Sequence, residues 1–170
     1  KNCCPLVTPE EYAEMPSLKG IPKIIVAESE KIDEKLKETD PKTDILLYRF
    51  RPDQDRYSAD RFLNSLSDNN LNLSVILNPL FCENDNEALM VKAPAILGRY
   101  IADKNISGIC ITNKGKTGTS ALVSLCFSIL QCTGARITRI IYLSCPTCGR
   151  TKFNLQKAVK EVKRVTAHLK

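Results

Sequence analysis

The amino-acid sequence predicts an α/β fold in which β-α units alternate and the sheet is mainly parallel. Short apolar, β-branched segments recur along the chain, and each is followed by a segment with helical spacing of apolar residues. These strand segments are apolar throughout, which is typical of parallel strands covered on both faces. With right-handed crossovers, this order builds either an open layered sheet or part of a barrel.

The first elements follow from a capping box and an apolar segment. Thr8, Pro9 and Glu11 form the pattern in which the threonine oxygen accepts a backbone N–H and the glutamate reaches back, so a short helix begins there. Pro22–Ala27 is apolar and β-branched and predicts a strand. The charged stretch Glu28–Glu38 has apolar residues at helical spacing and predicts a helix.

The middle of the chain repeats this alternation. Asp44–Phe50 predicts a second strand, after which Ser58 is expected to cap a helix. Leu73–Leu77 predicts a third strand, and Pro94 suits the first turn of the helix that follows. Ser107–Thr112 predicts a fourth strand. The apolar residues expected to share one face of each helix are Phe62, Leu63, Leu66, Ile96, Leu97, Tyr100 and Ile101.

Two further helices and a fifth strand are predicted in the last third of the chain. One helix runs from about Thr119 to Cys132, and Thr133 with Gly134 gives the signal that ends it. Ile137–Ser144 predicts the strand. Asn154 is expected to cap the other helix, whose lysines and arginines lie opposite an apolar side. That side consists of Leu155, Ala158, Val159, Val162, Val165 and Leu169.

Composition places the chain among ordinary globular proteins. Its 170 residues are 43% hydrophobic and 26% charged, and a core of this size holds without its eight cysteines as staples. No segment approaches the roughly 18 apolar residues of a membrane helix, and no signal peptide opens the chain, so we expect a cytoplasmic protein without membrane contact. Because the chain starts at Lys1 without methionine and stops within a helical pattern, we also expect it to be part of a longer protein.

Charge is distributed unevenly along the chain. Residues 1–100 carry 13 Lys and Arg against 17 Asp and Glu, whereas residues 101–170 carry 12 against 2. A basic half of this kind suits nucleic acid, phosphorylated small molecules or an acidic partner protein. Only 6% of the residues are aromatic and none is tryptophan, so the stacking surfaces typical of nucleic-acid binding are missing and we expect no nucleic-acid partner.

The loop Asn113–Ser120 lies between a predicted strand and a predicted helix, where backbone N–H groups and the helix dipole favour an anion. It contains the Gly-Lys-Thr end of a phosphate-binding loop motif, but Cys110 stands where that motif needs its first glycine. We therefore interpret the loop as a flexible turn with a helix cap and not as a site of nucleotide hydrolysis.

The remaining single residues are expected to have structural roles. Cys110, Cys126 and Cys132 lie in apolar segments, where cysteine behaves as a small buried hydrophobe. His168 is the single histidine, so it cannot form an imidazole-based metal site or a catalytic triad with a second one. We interpret it as a cation near a helix C-terminus.

The most specific motif is SCPTCGR at residues 144–150. Cys145 and Cys148 lie three residues apart with a proline between them and a glycine after them, which places both thiolates on one tight turn. A zinc knuckle, a thioredoxin-like dithiol and half of an iron–sulfur site all use such a turn, and two unliganded thiols are the remaining alternative. No second Cys-x-x-Cys motif occurs, and only 22 residues follow Cys148, which disfavours paired zinc knuckles and the dithiol.

A resemblance to a known family covers this motif and its flanks. Residues 128–139, SILQCTGARITR, and residues 142–156, YLSCPTCGRTKFNLQ, resemble the entry into the cluster domain of 4-hydroxy-3-methylbut-2-enyl diphosphate synthase. That enzyme acts in the methylerythritol phosphate route to isoprenoids. The most specific part of the resemblance is SCPTCGR together with the following FNLQ.

The resemblance implies a cofactor and a reaction. Cys145 and Cys148 would bind a [4Fe-4S] cluster, with a third cysteine and a glutamate from a GC-x-x-NGPGE motif further along the family's chains. The reaction opens 2-C-methyl-D-erythritol 2,4-cyclodiphosphate and removes a hydroxyl by two one-electron reductions. Ferredoxin or flavodoxin supplies the electrons, and the full-length protein is expected to be a homodimer.

The resemblance also implies a division of the chain. Residues 1–138 would be an inserted α/β domain with a structural role, and residues 139–170 the first strand, cysteine turn and helix of the cluster domain. The substrate-binding barrel and the third ligand would lie outside the chain, which is therefore expected to be inactive and without cluster on its own. The alternative is a separate module whose basic half and loop Asn113–Ser120 bind a phosphorylated small molecule or an acidic partner.

Overall fold

The computed structural model of the chain describes residues 4–14, 21–32, 34–103, 105–143 and 152–168. In these ranges the chain forms a parallel sheet with helices packed against it. The strands are β1 (Leu6–Val7), β2 (Ile24–Ala27), β3 (Ile45–Phe50), β4 (Ser74–Phe81), β5 (Gly108–Ile109) and β6 (Thr112–Asn113). The helices are α1 (Pro9–Glu14), α2 (Ser58–Asp68), α3 (Asn86–Ala102), α4 (Thr119–Cys132) and α5 (Leu155–Val165), with a 3-10 helix at Glu34–Glu38 between β2 and β3.

The strands follow one another across the sheet in their order along the chain, β1-β2-β3-β4-β5, and β6 also pairs with β4. Every one of these pairs is parallel. The predicted α/β class with a mainly parallel sheet is therefore confirmed. A doubly wound sheet reverses its strand order at a switch point, so the unreversed order favours part of a barrel over an open layered sheet.

One face of the sheet and the helices packed on it form the core. Register partners on this face, such as Leu46 with Val75 and Tyr48 with Leu77, are buried. The Tyr48 ring stacks on Phe62 of α2, with the ring centroids 3.9 Å apart. The buried residues that α3 contributes to the same core are Leu89, Ala93, Leu97, Tyr100 and Ile101.

The opposite face of the sheet, the open face, is covered less completely. Its residues alternate with the buried ones, because successive side chains of a strand point to opposite faces. Ile45 and Ile76 on this face are half-buried. Towards the carboxyl ends of the strands, the same face carries the polar side chains of Arg49 on β3 and Asn78 on β4, which are register partners. Parallel β/α folds place their binding sites at this end of the sheet.

A buried ion pair lies at the amino-terminal end of the sheet. Lys23 precedes β2 and Asp44 precedes β3, and their Nζ and Oδ1 atoms are 3.3 Å apart, with side chains only 3% and 1% exposed. The Asp44 carboxylate also accepts hydrogen bonds from the Tyr12 hydroxyl at 3.3 Å and from the Asp40 N–H at 3.1 Å. These bonds offset the cost of removing both charges from water.

Two predictions between β2 and α2 are wrong. In the described residues of Glu28–Glu38, the one helical element is the 3-10 helix at the end of the segment. Glu28 and Glu30 pair instead with arginines of β3 and α2, and these ion pairs hold the first part of the segment outside a helix. Ser58 is the first residue of α2 and not its cap. Its hydroxyl lies 2.6 Å from the Tyr48 hydroxyl and satisfies that buried group instead.

The starts of α1 and α3 show how local signals succeed and fail. The capping box is confirmed, since the Thr8 N–H donates to Glu11 Oε2 at 2.8 Å and the Glu11 N–H to Thr8 Oγ1 at 3.3 Å. Pro94 lies inside α3 and not in its first turn, so that prediction is wrong. The helix begins earlier because the Asp85 side chain accepts the Glu87 N–H at 2.9 Å.

The predicted fourth strand, Ser107–Thr112, is divided into β5 and β6. The division falls where the Asn78 side chain reaches out of β4: its Nδ2 donates to the Cys110 carbonyl and to Thr112 Oγ1. This amide takes the place of a backbone ladder bond at that point. β1 is an addition to the sequence prediction, because a two-residue strand carries no periodicity.

The predicted fifth strand, Ile137–Ser144, is wrong for residues 137–143, which form no strand, and Ser144 lies outside the described residues. Gln131 of α4 satisfies this backbone instead: its Oε1 accepts the Arg139 N–H at 3.0 Å and its Nε2 donates to the Arg139 carbonyl at 3.1 Å. The large apolar side chains of Ile137, Ile140, Ile141 and Leu143 remain exposed.

The helices α4 and α5 have the predicted positions. Gly134, with a φ of 72°, follows α4 as its predicted end signal. The Asn154 side chain caps α5 and accepts the Lys157 N–H at 2.9 Å. No described residue of α5 is buried, although its apolar side has the predicted spacing, and Leu169 lies outside the described residues. Within the described ranges, no helix is long and apolar enough to cross a membrane.

Candidate functional site

Both cysteines of the predicted cluster turn, Cys145 and Cys148, lie outside the described residues, so the structure shows the segments on either side of them. On the amino-terminal side, α4 ends at Cys132. Gln131 then fixes the following segment through its two hydrogen bonds to the backbone of Arg139. The side chain of one helical residue therefore sets the direction in which the chain approaches the turn.

On the carboxyl-terminal side, α5 contacts the segment that precedes the turn. The hydroxyl oxygens of Tyr142 and Thr166 are 2.6 Å apart. The Lys163 ammonium lies 5.4 Å from the centroid of the Tyr142 ring. The segment before residues 144–151 is thus in contact with the last turn of α5.

An iron–sulfur cluster takes three or four protein ligands, and two thiolates on one turn supply only part of this set. Among the residues that the structure describes, no three His, Cys, Asp or Glu side chains lie close enough together to hold a metal ion. The thiolate chemistry of Cys145 and Cys148 fits such a cluster, and any further ligands of it would have to come from outside the described residues.

The expectation of three buried cysteines is wrong for two of them. Cys110 and Cys132 are exposed, because Cys110 lies at the break between β5 and β6 and Cys132 is the last residue of α4. Cys126 is half-buried, and this burial raises the pKa of its thiol. His168 is exposed and lies just beyond α5, in the predicted position.

A second candidate site lies at the carboxyl ends of the strands, on the open face. Arg49 Nε donates to Asn78 Oδ1 at 3.1 Å, and Arg49 Nη1 donates to Glu28 Oε1 at 2.9 Å. Asn78 is only 1% exposed and donates in turn to Thr112 Oγ1 at 2.9 Å. A row of hydrogen-bonded polar side chains therefore runs from the end of β2 across β3 and β4 to β6.

Arg61 of α2 holds the other carboxylates beside this row. Its Nε donates to Glu30 Oε2 at 2.6 Å, and its Nη2 also contacts Asp55. The hydrogen bond from Arg61 lowers the pKa of Glu30, and the pKa of Asp55 is lowered first by the Tyr57 N–H and then by Arg61. Both carboxylates are therefore ionised and paired near neutral pH.

The loop between β6 and α4 is fixed against the connection from β4 to α3. Asn113 Oδ1 accepts the Glu83 N–H and its Nδ2 donates to the Glu83 carbonyl, both at 2.8 Å. Thr117 Oγ1 lies 2.6 Å from Asn86 Oδ1. A Cβ at Gly115 would collide with the Glu83 carbonyl, so only glycine allows this approach. The loop is a turn, as predicted, but these hydrogen bonds hold it in place where the sequence predicts a flexible one, and no described side chain caps α4.

A cavity of about 640 Å³ opens at this edge of the sheet. Arg49, Arg51 and Lys114 line it, together with the paired carboxylates. This cavity was not among the sites predicted from the sequence. A signal was present, since Arg49 and Asn78 interrupt the otherwise apolar strands ILLYRF and SVILNPLF near their carboxyl ends.

Comparison with known proteins supports the resemblance found in the sequence. The chain is similar to proteins named 4-hydroxy-3-methylbut-2-en-1-yl diphosphate synthase (flavodoxin). That of Bacteroides fragilis is 42% identical over 90 residues, which are 53% of this chain and 14% of that protein. That of Porphyromonas gingivalis is 42% identical over 96 residues, 56% of this chain and 16% of that protein. That of Protochlamydia amoebophila is 36% identical over 109 residues, 64% of this chain and 16% of that protein.

The predicted resemblance is therefore confirmed, and it extends over more residues than the segment that first indicated it. The chain spans about 14 to 16% of the length of these curated relatives. No family model and no solved structure matches the chain.

Proposed function

We propose that the chain is part of a 4-hydroxy-3-methylbut-2-enyl diphosphate synthase and contributes two ligands of its [4Fe-4S] cluster. The observation that carries this proposal is the SCPTCGR motif. The chain that contains it is 42% identical, over 90 and 96 residues, to the named relatives in Bacteroides fragilis and Porphyromonas gingivalis. The substrate is 2-C-methyl-D-erythritol 2,4-cyclodiphosphate, which loses a hydroxyl by reduction on the way to isoprenoids. When bound, the cluster supplies the two single-electron transfers.

In this proposal the thiolates of Cys145 and Cys148 hold one side of the cluster. The chain's own contribution is to position them. Gln131 fixes the backbone that leads into the turn, and the contact between Tyr142 and Thr166 joins its two flanks.

The division of the chain into two parts belongs to the same proposal. Residues 1–138 form an inserted α/β domain with a structural role, and residues 139–170 open the cluster domain. The distribution of buried residues supports this division, since the helices up to α4 contribute to one core and α5 buries no described residue.

The partners of the whole protein follow from the family. Flavodoxin, which the names of the relatives include, or ferredoxin donates the electrons. The full-length protein is a cytoplasmic homodimer. The chain by itself lacks the substrate-binding barrel and the remaining ligands, so it is inactive and holds no cluster.

The test is anaerobic reconstitution of the full-length protein with iron and sulfide. Wild type is compared with Cys145→Ser and with the matched control Cys132→Ser, which removes an exposed thiol at the end of α4. We expect wild type and control to take up iron and show the broad visible absorbance of a cluster, and Cys145→Ser to lose both. The readout is bound iron per chain together with this absorbance.

Two results would contradict the proposal. One is a cluster of unchanged iron content in Cys145→Ser, which would make the turn structural. The other is zinc instead of iron in the purified wild type, which would identify the cysteine motif as a zinc knuckle. Loss of the cluster in Cys132→Ser as well would show that the comparison measures damage to α4 and not ligation.

A further inference from the structure

We propose that the carboxyl edge of the sheet binds a small molecule through a phosphoryl group held between Arg51 and Lys114. This site lies in the α/β part of the chain and is separate from the cysteine turn. It goes beyond the structural role proposed for residues 1–138 and does not depend on the cluster.

The position and size of the cavity suit a small ligand. Its volume of about 640 Å³ falls in the range of small-molecule sites, which is roughly 300 to 1,000 Å³. Arg49 belongs to β3, Arg51 directly follows it, and Lys114 directly follows β6. Three cationic side chains thus meet where parallel strands end, which is where β/α folds bind their ligands.

The carboxylates at this edge of the sheet already form ion pairs with Arg49 and Arg61. Glu28 accepts from Arg49, and Glu30 and Asp55 share Arg61. The lowered pKa values of Glu30 and Asp55 reflect this pairing, together with the Tyr57 N–H for Asp55. Within the described part of the chain, none of these three carboxylates forms an ion pair with Arg51 or Lys114.

Arg51 and Lys114 are the cations of the cavity that have more N–H donors than acceptors to receive them. Arg51 Nε is buried and has no hydrogen-bond partner among the residues that the structure describes. The Nη2 of the same guanidinium reaches Asp53 at 3.2 Å and the Cys82 thiol at 3.8 Å. Lys114 forms no ion pair within the described part of the chain. A buried donor without an acceptor is rare in native proteins, and the guanidinium that carries it is 39% exposed, so a small rotation can turn it towards a ligand oxygen.

The backbone that carries Lys114 and the neighbouring Arg49 side chain are held in place before any ligand arrives. The Lys114 N–H bonds to the Phe81 carbonyl at 2.9 Å, and the neighbouring Asn113 binds the Glu83 backbone on both sides. On the other wall, the buried amide of Asn78 fixes Arg49. A ligand therefore does not have to order the loop, which lowers the entropic cost of binding.

A phosphoryl group matches this arrangement better than a carboxylate does. It offers three acceptor oxygens and up to two negative charges, whereas a carboxylate offers two oxygens and one charge. A planar guanidinium and an ammonium together can use all three oxygens. With its charge divided between Arg51 and Lys114, a phosphoryl group leaves the existing ion pairs intact.

The test is a titration of the 170-residue chain with pyrophosphate and with inorganic phosphate at constant ionic strength, followed by calorimetry. Wild type is compared with Arg51→Gln, Lys114→Gln and the control Lys116→Gln, which removes an exposed charge from the same loop. We expect saturable binding in wild type and in the control. Each of the other two variants should weaken binding about tenfold or more, the value of a charge-assisted hydrogen bond.

Absence of saturable binding in wild type would overturn the proposal. Equal weakening in Lys116→Gln would also overturn it, because it would show attraction to the basic loop in general. If Arg51→Gln fails to fold by circular dichroism, Lys114→Gln decides, since its side chain lies on the surface. None of these outcomes bears on the cluster, which is assayed by the iron content of the Cys145 variant.

Discussion

The α/β part of the chain, which comprises the described residues between 4 and 134, and the region around the cysteine turn, residues 135–143 and 152–168, differ in how far they bury apolar side chains. In the α/β part, Phe62 and Leu77 are 0% exposed. In the second region, Leu143 is 93% exposed and Val162 is 52% exposed. The first region closes a core of its own, and the described residues of the second do not.

This difference indicates that the second region needs a packing surface outside its own described residues to be stable. A helix as short as α5 is marginal in water unless its apolar side packs against something. The apolar sides of α5 and of residues 137–143 therefore need a covering surface, which the remainder of a cluster domain would supply. A mainly apolar groove of about 780 Å³ between β5 and α4 shows that incomplete packing begins already at the edge of the sheet.

The largest effect is expected where the α/β part buries charge. Asp44→Ala leaves the Lys23 ammonium in the interior without this carboxylate, and the free energy of unfolding should fall by about 3 to 5 kcal/mol. Urea denaturation measures it. The exposed Asp68 is the control, and Asp68→Ala should change stability by no more than about 0.5 kcal/mol. A small effect of Asp44→Ala would show that the pair is open to water.

The next effect compares the two regions directly by truncating one apolar residue in each. Leu77→Ala should lower the free energy of unfolding by about 2 to 5 kcal/mol, because it leaves a cavity in the core. Val162→Ala in α5 should cost about 0.5 kcal/mol or less in the same urea experiment. A comparable loss for Val162→Ala would mean that α5 packs in the isolated chain, and the contrast between the regions would fail.

The smallest effect concerns acid. The pKa values of Glu30 and Asp55 are lowered in the folded chain, so their contribution to stability is complete above their unfolded pKa values of about 4 and is lost as the pH falls below them. Arg61→Gln should flatten this acid limb of the melting temperature. The contribution is small and sensitive to salt, because these side chains are well exposed. If the melting temperature of Arg61→Gln falls with acid as steeply as that of wild type, other carboxylates cause the acid destabilisation.

Local sequence signals predict the elements whose cause is local. Thr8 with Glu11 and Asn154 mark helix starts through bonds within one turn, and the apolar segments of β2 and β3 predict strands. Pro94 misleads because Asp85 starts α3 earlier. The strand predicted at Ile137–Ser144 fails because its apolar pattern gives no partner strand, and Gln131 binds the backbone instead.

The two candidate sites differ in the same way. The cysteine motif is visible in the sequence because Cys145 and Cys148 lie only three residues apart. The polar row at the sheet edge is not, because Arg49 and Asn78 are 29 residues apart and meet only through the register of β3 and β4. No spacing rule connects residues that a sheet register brings together.

Amide hydrogen exchange on the 170-residue chain tests the contrast between the two regions most directly. We expect the amides of β3 and β4 to exchange only through global unfolding, and those of α5 to exchange with little protection, because no described residue of α5 is buried. Protection of α5 equal to that of β3 and β4 would contradict the account, since it would show that the second region is a folded part of the same core.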